Sequence, residues 1–420
     1  MVDTKVLVTG ATGFIAGHCI GELLAHGYAV RGSVRNLATA DVGHLRALAQ
    51  RTGGSLELVE ARLDADTGWA EAVDGCTYVW HVASPNPPAL PKDEDELIRP
   101  AVDGTLRVLR AAAASGTVRR VVLTSSIDAI RHGHDGPDRV RTEADWSNVD
   151  RSGPYPRSKV YAERAAWEFV RDQGLELVTI NPGLVLGPLQ YRQRTTSIEV
   201  IRLLLAHKLP AVPRLGFAVV DVRDIAVAHR LATEIPEAAG NRYICAGEQT
   251  WMGEIAAILA AEFGPRGYRI PTRPMPYWLM WTIARLDRTV RLALGLVGVP
   301  ALVSAGKAER ELGWTTRPAR ESIVDAADSL LRHGVVPRRG ADAHGSAAPA
   351  PSASAGRAEA ILERCRTSSP LVRGPRAAAG HVRGWSCWWS RQRWPARSAS
   401  GAGRRRRSLA RRPRSRRPPR

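Results

Sequence analysis

Lysine is nearly absent from this chain of 420 residues: five lysines stand beside 55 arginines, so chemistry that needs an ammonium has few candidates. Cysteine is scarce too. The five thiols, Cys19, Cys76, Cys245, Cys365 and Cys387, show neither C-x-x-C pairs nor metal-ligand spacing, which argues against a disulfide framework and a structural zinc site and predicts reduced thiols with no metal. No apolar stretch is free enough of charge to span a bilayer. The most apolar one, 277–299, carries Arg285, Asp287, Arg288 and Arg291 and is predicted to be one amphipathic helix. No targeting pattern precedes Val6-Leu7-Val8, so a cytoplasmic location without membrane association is expected.

Acidic residues are missing from one region only. Residues 338–420 hold 21 arginines against Asp342, Glu359 and Glu363, which leaves 39 basic and 38 acidic residues in 1–337. The formal net charge of +19 therefore belongs to the tail, and binding of nucleic acid is a question for the tail alone. Rich in Gly, Ala, Pro, Ser and Arg, that tail is expected to be disordered. Its tryptophans Trp385, Trp388, Trp389 and Trp394 could stack on bases, but the lack of lysine and of any period fits out-of-frame translation of a GC-rich gene better.

The remaining residues, within a chain that is 44% hydrophobic, suffice for a substantial core. Short apolar runs at 6–9, 29–34, 55–60, 78–82, 121–124 and 177–180 are predicted strands, and 15–25, 94–114 and 158–172 are predicted helices between them. Repeated β-α-β order implies an α/β fold, a Rossmann-type doubly wound parallel sheet. Regularity weakens after Pro182, where a smaller C-terminal substrate-binding lobe is expected. The division is then one domain over 1–337, with the nucleotide-binding core mainly 4–182 and the lobe mainly 183–337, followed by the tail 338–420.

Between the first strand and helix lies Thr9-Gly10-Ala11-Thr12-Gly13-Phe14-Ile15-Ala16-Gly17. Gly10 and Gly13 permit a tight turn that brings bare backbone to a pyrophosphate at the helix N-terminus, although an ordinary β-α turn has the same look. The second strand ends in Arg35 where an NAD site offers a carboxylate, so NADP(H) is favoured over NAD(H), unless Arg35 is only a solvated surface charge. Tyr155 and Lys159, four apart, share one face of a predicted helix, and the ammonium is expected to lower the phenol's pKa into the range of a working acid. The strand 121–124 ends in Ser125-Ser126; Ser126 is preferred as the hydroxyl that holds a substrate oxygen, with Ser125 the fallback and capping of the next turn the bland alternative. His81 reads as a core residue, and Arg223 as either a substrate contact or an ion-pair partner of Asp221 or Asp224.

Taken together, VLVTGATGFIA (6–16), YAVRGSVR (28–35), HVASP (81–85), AVDGTLRVLRA (101–111), VVLTSS (121–126), YPRSK (155–159), NPGLVLGP (181–188), DVRDI (221–225) and LGW (312–314) resemble an extended short-chain dehydrogenase/reductase. The likeness is to the NAD-dependent epimerase/dehydratase superfamily, in its dihydroflavonol 4-reductase-like and aldehyde reductase branch. It covers about residues 4–335. The resemblance implies Ser126, Tyr155 and Lys159 as the catalytic set, with Tyr155 and Lys159 also contacting the cofactor. It further implies Gly10, Gly13, Phe14 and Ile15 at the pyrophosphate, Arg35 at the 2′-phosphate, and Leu63 and Asp64 beside adenine. Val82, Ala83 and Ser84 would lie beside the ribose, and Pro182, Gly183 and Val185 along the nicotinamide. Asp103 replaces an asparagine common in relatives, which leaves a fourth catalytic member open.

The implied function is reduction of a small-molecule aldehyde or ketone by NADPH, in a homodimer paired through helices of the sheet. An NAD-dependent sugar-nucleotide epimerase or dehydratase is the enzyme alternative. A nucleotide-sensing regulator with a nucleic-acid-binding tail is the non-enzyme one.

Overall fold

Runs of valine, leucine and isoleucine with no polar alternation have two faces to bury, and a parallel sheet covered on both sides is what buries them. The computed structural model describes residues 4–85, 93–136, 138–193, 195–285 and 288–337. Seven strands form one parallel sheet: β1 (Lys5–Val8), β2 (Ala29–Val34), β3 (Leu56–Glu60), β4 (Tyr78–His81), β5 (Arg120–Thr124), β6 (Glu176–Pro182) and, out of numerical sequence, β9 (Arg242–Cys245). Their order is β3-β2-β1-β4-β5-β6-β9, and every pairing is parallel. The chain winds outward from β1 to β3, then crosses back to β4 on the other side of β1. That reversal opens a crevice at the C-terminal ends of β1 and β4, where open α/β sheets bind ligands.

A second sheet of three strands, order β10-β8-β7, joins β7 (Leu184–Leu186), β8 (Gly216–Asp221) and β10 (Gln249–Trp251). The helices α1 (Phe14–Ala25), α2 (Gly43–Thr52), α3 (Trp69–Val73), α4 (Asp95–Ala114) and α5 (Pro154–Val170) belong to the first half. They are followed by α6 (Glu199–Leu205), α7 (Val222–Glu234) and α8 (Met252–Phe263), then α9 (Tyr277–Ala284), α10 (Arg288–Ala293), α11 (Gly306–Leu312) and α12 (Ala319–Arg332). Helix α1 shows why such segments form. Its buried Phe14, Ala16, Cys19, Ile20, Leu23 and Leu24 recur at helical spacing and enter the core together with Val6, Val8, Val30 and Trp80.

All six predicted strands are present to within two residues at either end. The single helix expected over 277–299 is corrected: the described residues there form α9, α10 and a 3-10 turn over 294–296. No helix among the described residues is long and apolar enough to cross a membrane. Cys19, Cys76 and Cys245 are free and buried. The readings of the tail, including Cys365, Cys387 and its tryptophans, fall outside the described residues.

Candidate active site

The glycine turn meets the end of β4 directly. Gly10 has φ +68°, and a Cβ placed on it would stand 3.0 Å from the Ala83 side chain, so both backbone angle and space call for glycine. Thr9 locks this contact: its hydroxyl accepts from the Ala83 N–H at 2.9 Å and bridges to His81 Nδ1 at 2.9 Å. Burial, then the nearby Lys159 charge, holds His81 at about 3, so it is a neutral core residue. From β2, the Ser33 hydroxyl accepts the Gly10 N–H at 3.2 Å. Gly13 then caps α1 without any side-chain hydrogen bond, and no acidic residue occupies the first turn. An uncapped helix N-terminus behind a glycine cradle fits the pyrophosphate of a dinucleotide.

Arg35 follows β2 and is exposed, with no hydrogen bond or ion pair among the described residues. Arg31, by contrast, is buried and donates to Glu57 and to the Glu71 and Asp74 carbonyls. Asp64 is exposed and pairs with Arg62 through both carboxylate oxygens, while Leu63 packs against Gly104. Pro182 ends β6. A Cβ on the next residue, Gly183, would lie 2.0 Å from the Ala218 carbonyl oxygen, so only glycine lets β6 pass the small sheet there. Val185 is in β7 with its side chain in the core.

On the other wall, α5 begins at Pro154 and exposes Tyr155 over 37% of its surface, with Lys159 one turn further in and buried. Lys159 Nζ donates to Ser84 Oγ at 3.1 Å and lies 5.7 Å from the centroid of the Tyr155 ring. The two predicted walls therefore meet, Ser84 from the segment after β4 and Lys159 from α5. Burial lowers Lys159 to about 8 against the opposing pull of Asp128 and Glu163. The expected lowering of the Tyr155 pKa is corrected. Burial first and the Asp128 carboxylate second raise it, opposed by a hydrogen bond with Ser126, because the carboxylate acts on the phenol while Lys159 is turned to Ser84.

The two serines have separate duties. Ser125 Oγ donates to buried Glu163 at 2.5 Å, which commits its proton. Ser126 Oγ accepts from the Asp128 N–H at 3.1 Å, the capping contact considered above, and its hydroxyl is also hydrogen-bonded with the Tyr155 phenol. Asp128 is a site residue the sequence did not flag. Burial would raise its pKa, but His132 at 2.6 Å and Arg131 at 3.3 Å override that and keep it well below the usual carboxylate range.

Glu163 was missed as well, although its position four residues beyond Lys159 is a helical signal. Only 1% exposed, it accepts from Ser125, from Asn181 Nδ2 at 2.9 Å and from Arg242 Nε at 2.6 Å, and Asn181 also donates to the Ser126 carbonyl at 3.2 Å. Arg223 is an ion-pair residue, held by Asp221 and Asp325. Asp103 is exposed on α4. No cluster of potential metal ligands occurs among the described residues.

A dinucleotide crevice flanked by a Ser/Tyr/Lys cluster at the C-terminal edge of a doubly wound sheet defines an NAD(P)-dependent oxidoreductase of the short-chain type. The chain belongs to the NAD dependent epimerase/dehydratase family, whose sequence pattern matches residues 6–246. It is 42% identical over 275 residues to cinnamoyl-CoA reductase 1 of Petunia hybrida, spanning 64% of this chain and 79% of that protein. Among solved structures it resembles vestitone reductase from alfalfa, with a TM-score of 0.62 and 28% identity over 79% of this chain and 99% of the other. Yeast methylglyoxal/isovaleraldehyde reductase Gre2, complexed with NADPH, gives a TM-score of 0.65 and 29% identity over the same shares.

Proposed function

We propose that this protein is an NADPH-dependent reductase converting an aldehyde or ketone to the alcohol, with Ser126, Tyr155 and Lys159 as its catalytic residues. The observation that carries the reading is the junction of Ser84 and Lys159, which sets the Tyr155 helix against the glycine-turn crevice. Bound NADPH would supply the hydride. Gly10, Gly13, Phe14 and Ile15 would hold its pyrophosphate by backbone and helix dipole. Ser126, its oxygen engaged by Asp128 N–H and its hydroxyl beside the Tyr155 phenol, would turn its proton to the substrate oxygen that Tyr155 protonates. Tyr155 is the proton donor, and a phenol that holds its proton tightly across neutral pH is in the form reduction requires. Lys159 would orient the ribose, while residues beyond 183 would form most of the substrate wall.

Among the described residues Arg35 has no partner to give up, which supports its guanidinium as the contact to the 2′-phosphate. Arg35→Ala should weaken NADPH binding about tenfold or more, in line with one lost charged hydrogen-bond set, and leave NADH binding nearly unchanged. Titration with both cofactors checks this, and equal weakening counts against the 2′-phosphate assignment. A panel of aldehydes, ketones and flavonoid-like ketones, followed by the loss of reduced-nicotinamide absorbance, tests the activity itself.

Lys159 carries its charge below about pH 8 and loses it above. The kcat/KM for reduction should therefore fall as pH rises through that value, and Lys159→Arg should move the limb to higher pH. A profile flat through pH 8 would contradict the role given to the ammonium. A cytoplasmic homodimer is the working form proposed, paired through helices that cover the sheet; a monomer mass by light scattering would count against the dimer.

A further inference from the structure

Away from the crevice, a cavity of about 430 Å³ lies between the C-terminal half of α5 and the start of β9. Trp146, Arg164, Trp167, Glu168, Arg171 and Arg242 line it. From Tyr155 to Trp167 is twelve helical residues, about 18 Å along the axis. The Trp146 ring has a guanidinium at each of two distances, Arg242 at 3.8 Å and Arg164 at 4.9 Å. Arg242 is nine-tenths buried. Its Nε donates to Glu163 and its Nη1 to the Glu143 and Asp145 carbonyls, but its Nη2 is buried with no acceptor. With that atom shut in, the cavity presents to a ligand the exposed guanidinium groups of Arg164 and Arg171 beside the two indoles.

We propose that this cavity binds a small aromatic carboxylate. The planar fork of a guanidinium matches a carboxylate, and indole faces beside arginines match an aromatic ring. Arg164 and Arg171 make no ion pair among the described residues, and Glu168 is the only acidic side chain of the lining, so the site carries excess positive charge. Both Arg242 and Trp167 also donate to Glu163, at 2.6 and 3.5 Å. Through Asn181 that carboxylate reaches the Ser126 carbonyl, a route by which occupancy would alter turnover. Binding itself is independent of the reductase reading; only this coupling rests on it.

Calorimetric titration of the full-length protein with benzoate, in the presence and absence of saturating NADP⁺, tests the site. Saturable one-site binding within about twofold under both conditions is expected, weakened at least about tenfold in the Arg164→Gln/Arg171→Gln double variant, whose exposed side chains leave the fold and basal turnover intact. Cyclohexanecarboxylate should bind several-fold more weakly, and inorganic phosphate should not displace benzoate. No saturable binding, displacement by NADP⁺, full affinity in the double variant, or equal competition by phosphate would each overturn the proposal.

Discussion

Tyr155→Phe is expected to lower kcat by about 10²–10⁴-fold, the range a positioned general acid contributes, while NADPH binding stays within about threefold. The change removes one oxygen and its hydrogen bond with Ser126, so stability should fall by no more than about 0.5–1.5 kcal/mol. Ring, helix and the Lys159 to Ser84 contact all remain, and loss of turnover would then report the proton alone. Steady-state kinetics with fluorescence titration of NADPH separates the two quantities. Turnover above about a tenth of the wild-type value would remove Tyr155 from the mechanism.

Glu163→Gln should be the most destabilising single change near the site. Glu163 faces five donors: Ser125, Asn181, Thr179, Trp167 and Arg242. The amide would present its own donors to that set and leave the Arg242 charge without a counter-ion at 2.6 Å. Removing one member of a buried ion pair costs about 3–5 kcal/mol, which urea denaturation would show as a lower midpoint with an unchanged slope. Glu163→Leu combined with Arg242→Met should recover much of the loss, because the uncompensated charge goes with its partner. A cost below about 1 kcal/mol for Glu163→Gln would mean that the pair is solvated and does not support Ser125 and Asn181.

Both substitutions bear on how much the sequence disclosed. The strands of the first half were readable because each is a short segment rich in β-branched and apolar residues between turn signals, in alternation with helical patterns. Strand β9, Arg-Tyr-Ile-Cys, follows the point where the β-α-β alternation breaks off, and it opens on an arginine whose ion pair, among the described residues, is with Glu163 of a distant helix. The three-residue strands β7 and β10 are too short for any period to register. Spacing identified Tyr155 and Lys159, and the strand end identified the serines. Which serine stands beside Tyr155 could not be read from the chain, since it depends on Glu163 reaching Ser125 across the interior. The direction of the Tyr155 shift failed for a related reason: helical spacing supplied the ammonium, but burial of the phenol and, second, the Asp128 carboxylate from a different element raise the pKa.

Transfer of label from cofactor to substrate bears on the proposed chemistry without intermediaries. Incubation with NADPH deuterated at nicotinamide C4 and an aromatic aldehyde should place deuterium on the carbinol carbon of the product, in amounts equal to the NADP⁺ formed, and Tyr155→Phe should suppress it. Cofactor oxidation with no label in the alcohol, or a tightly bound NAD⁺ that returns its hydride with no net alcohol formed, would contradict a carbonyl reductase.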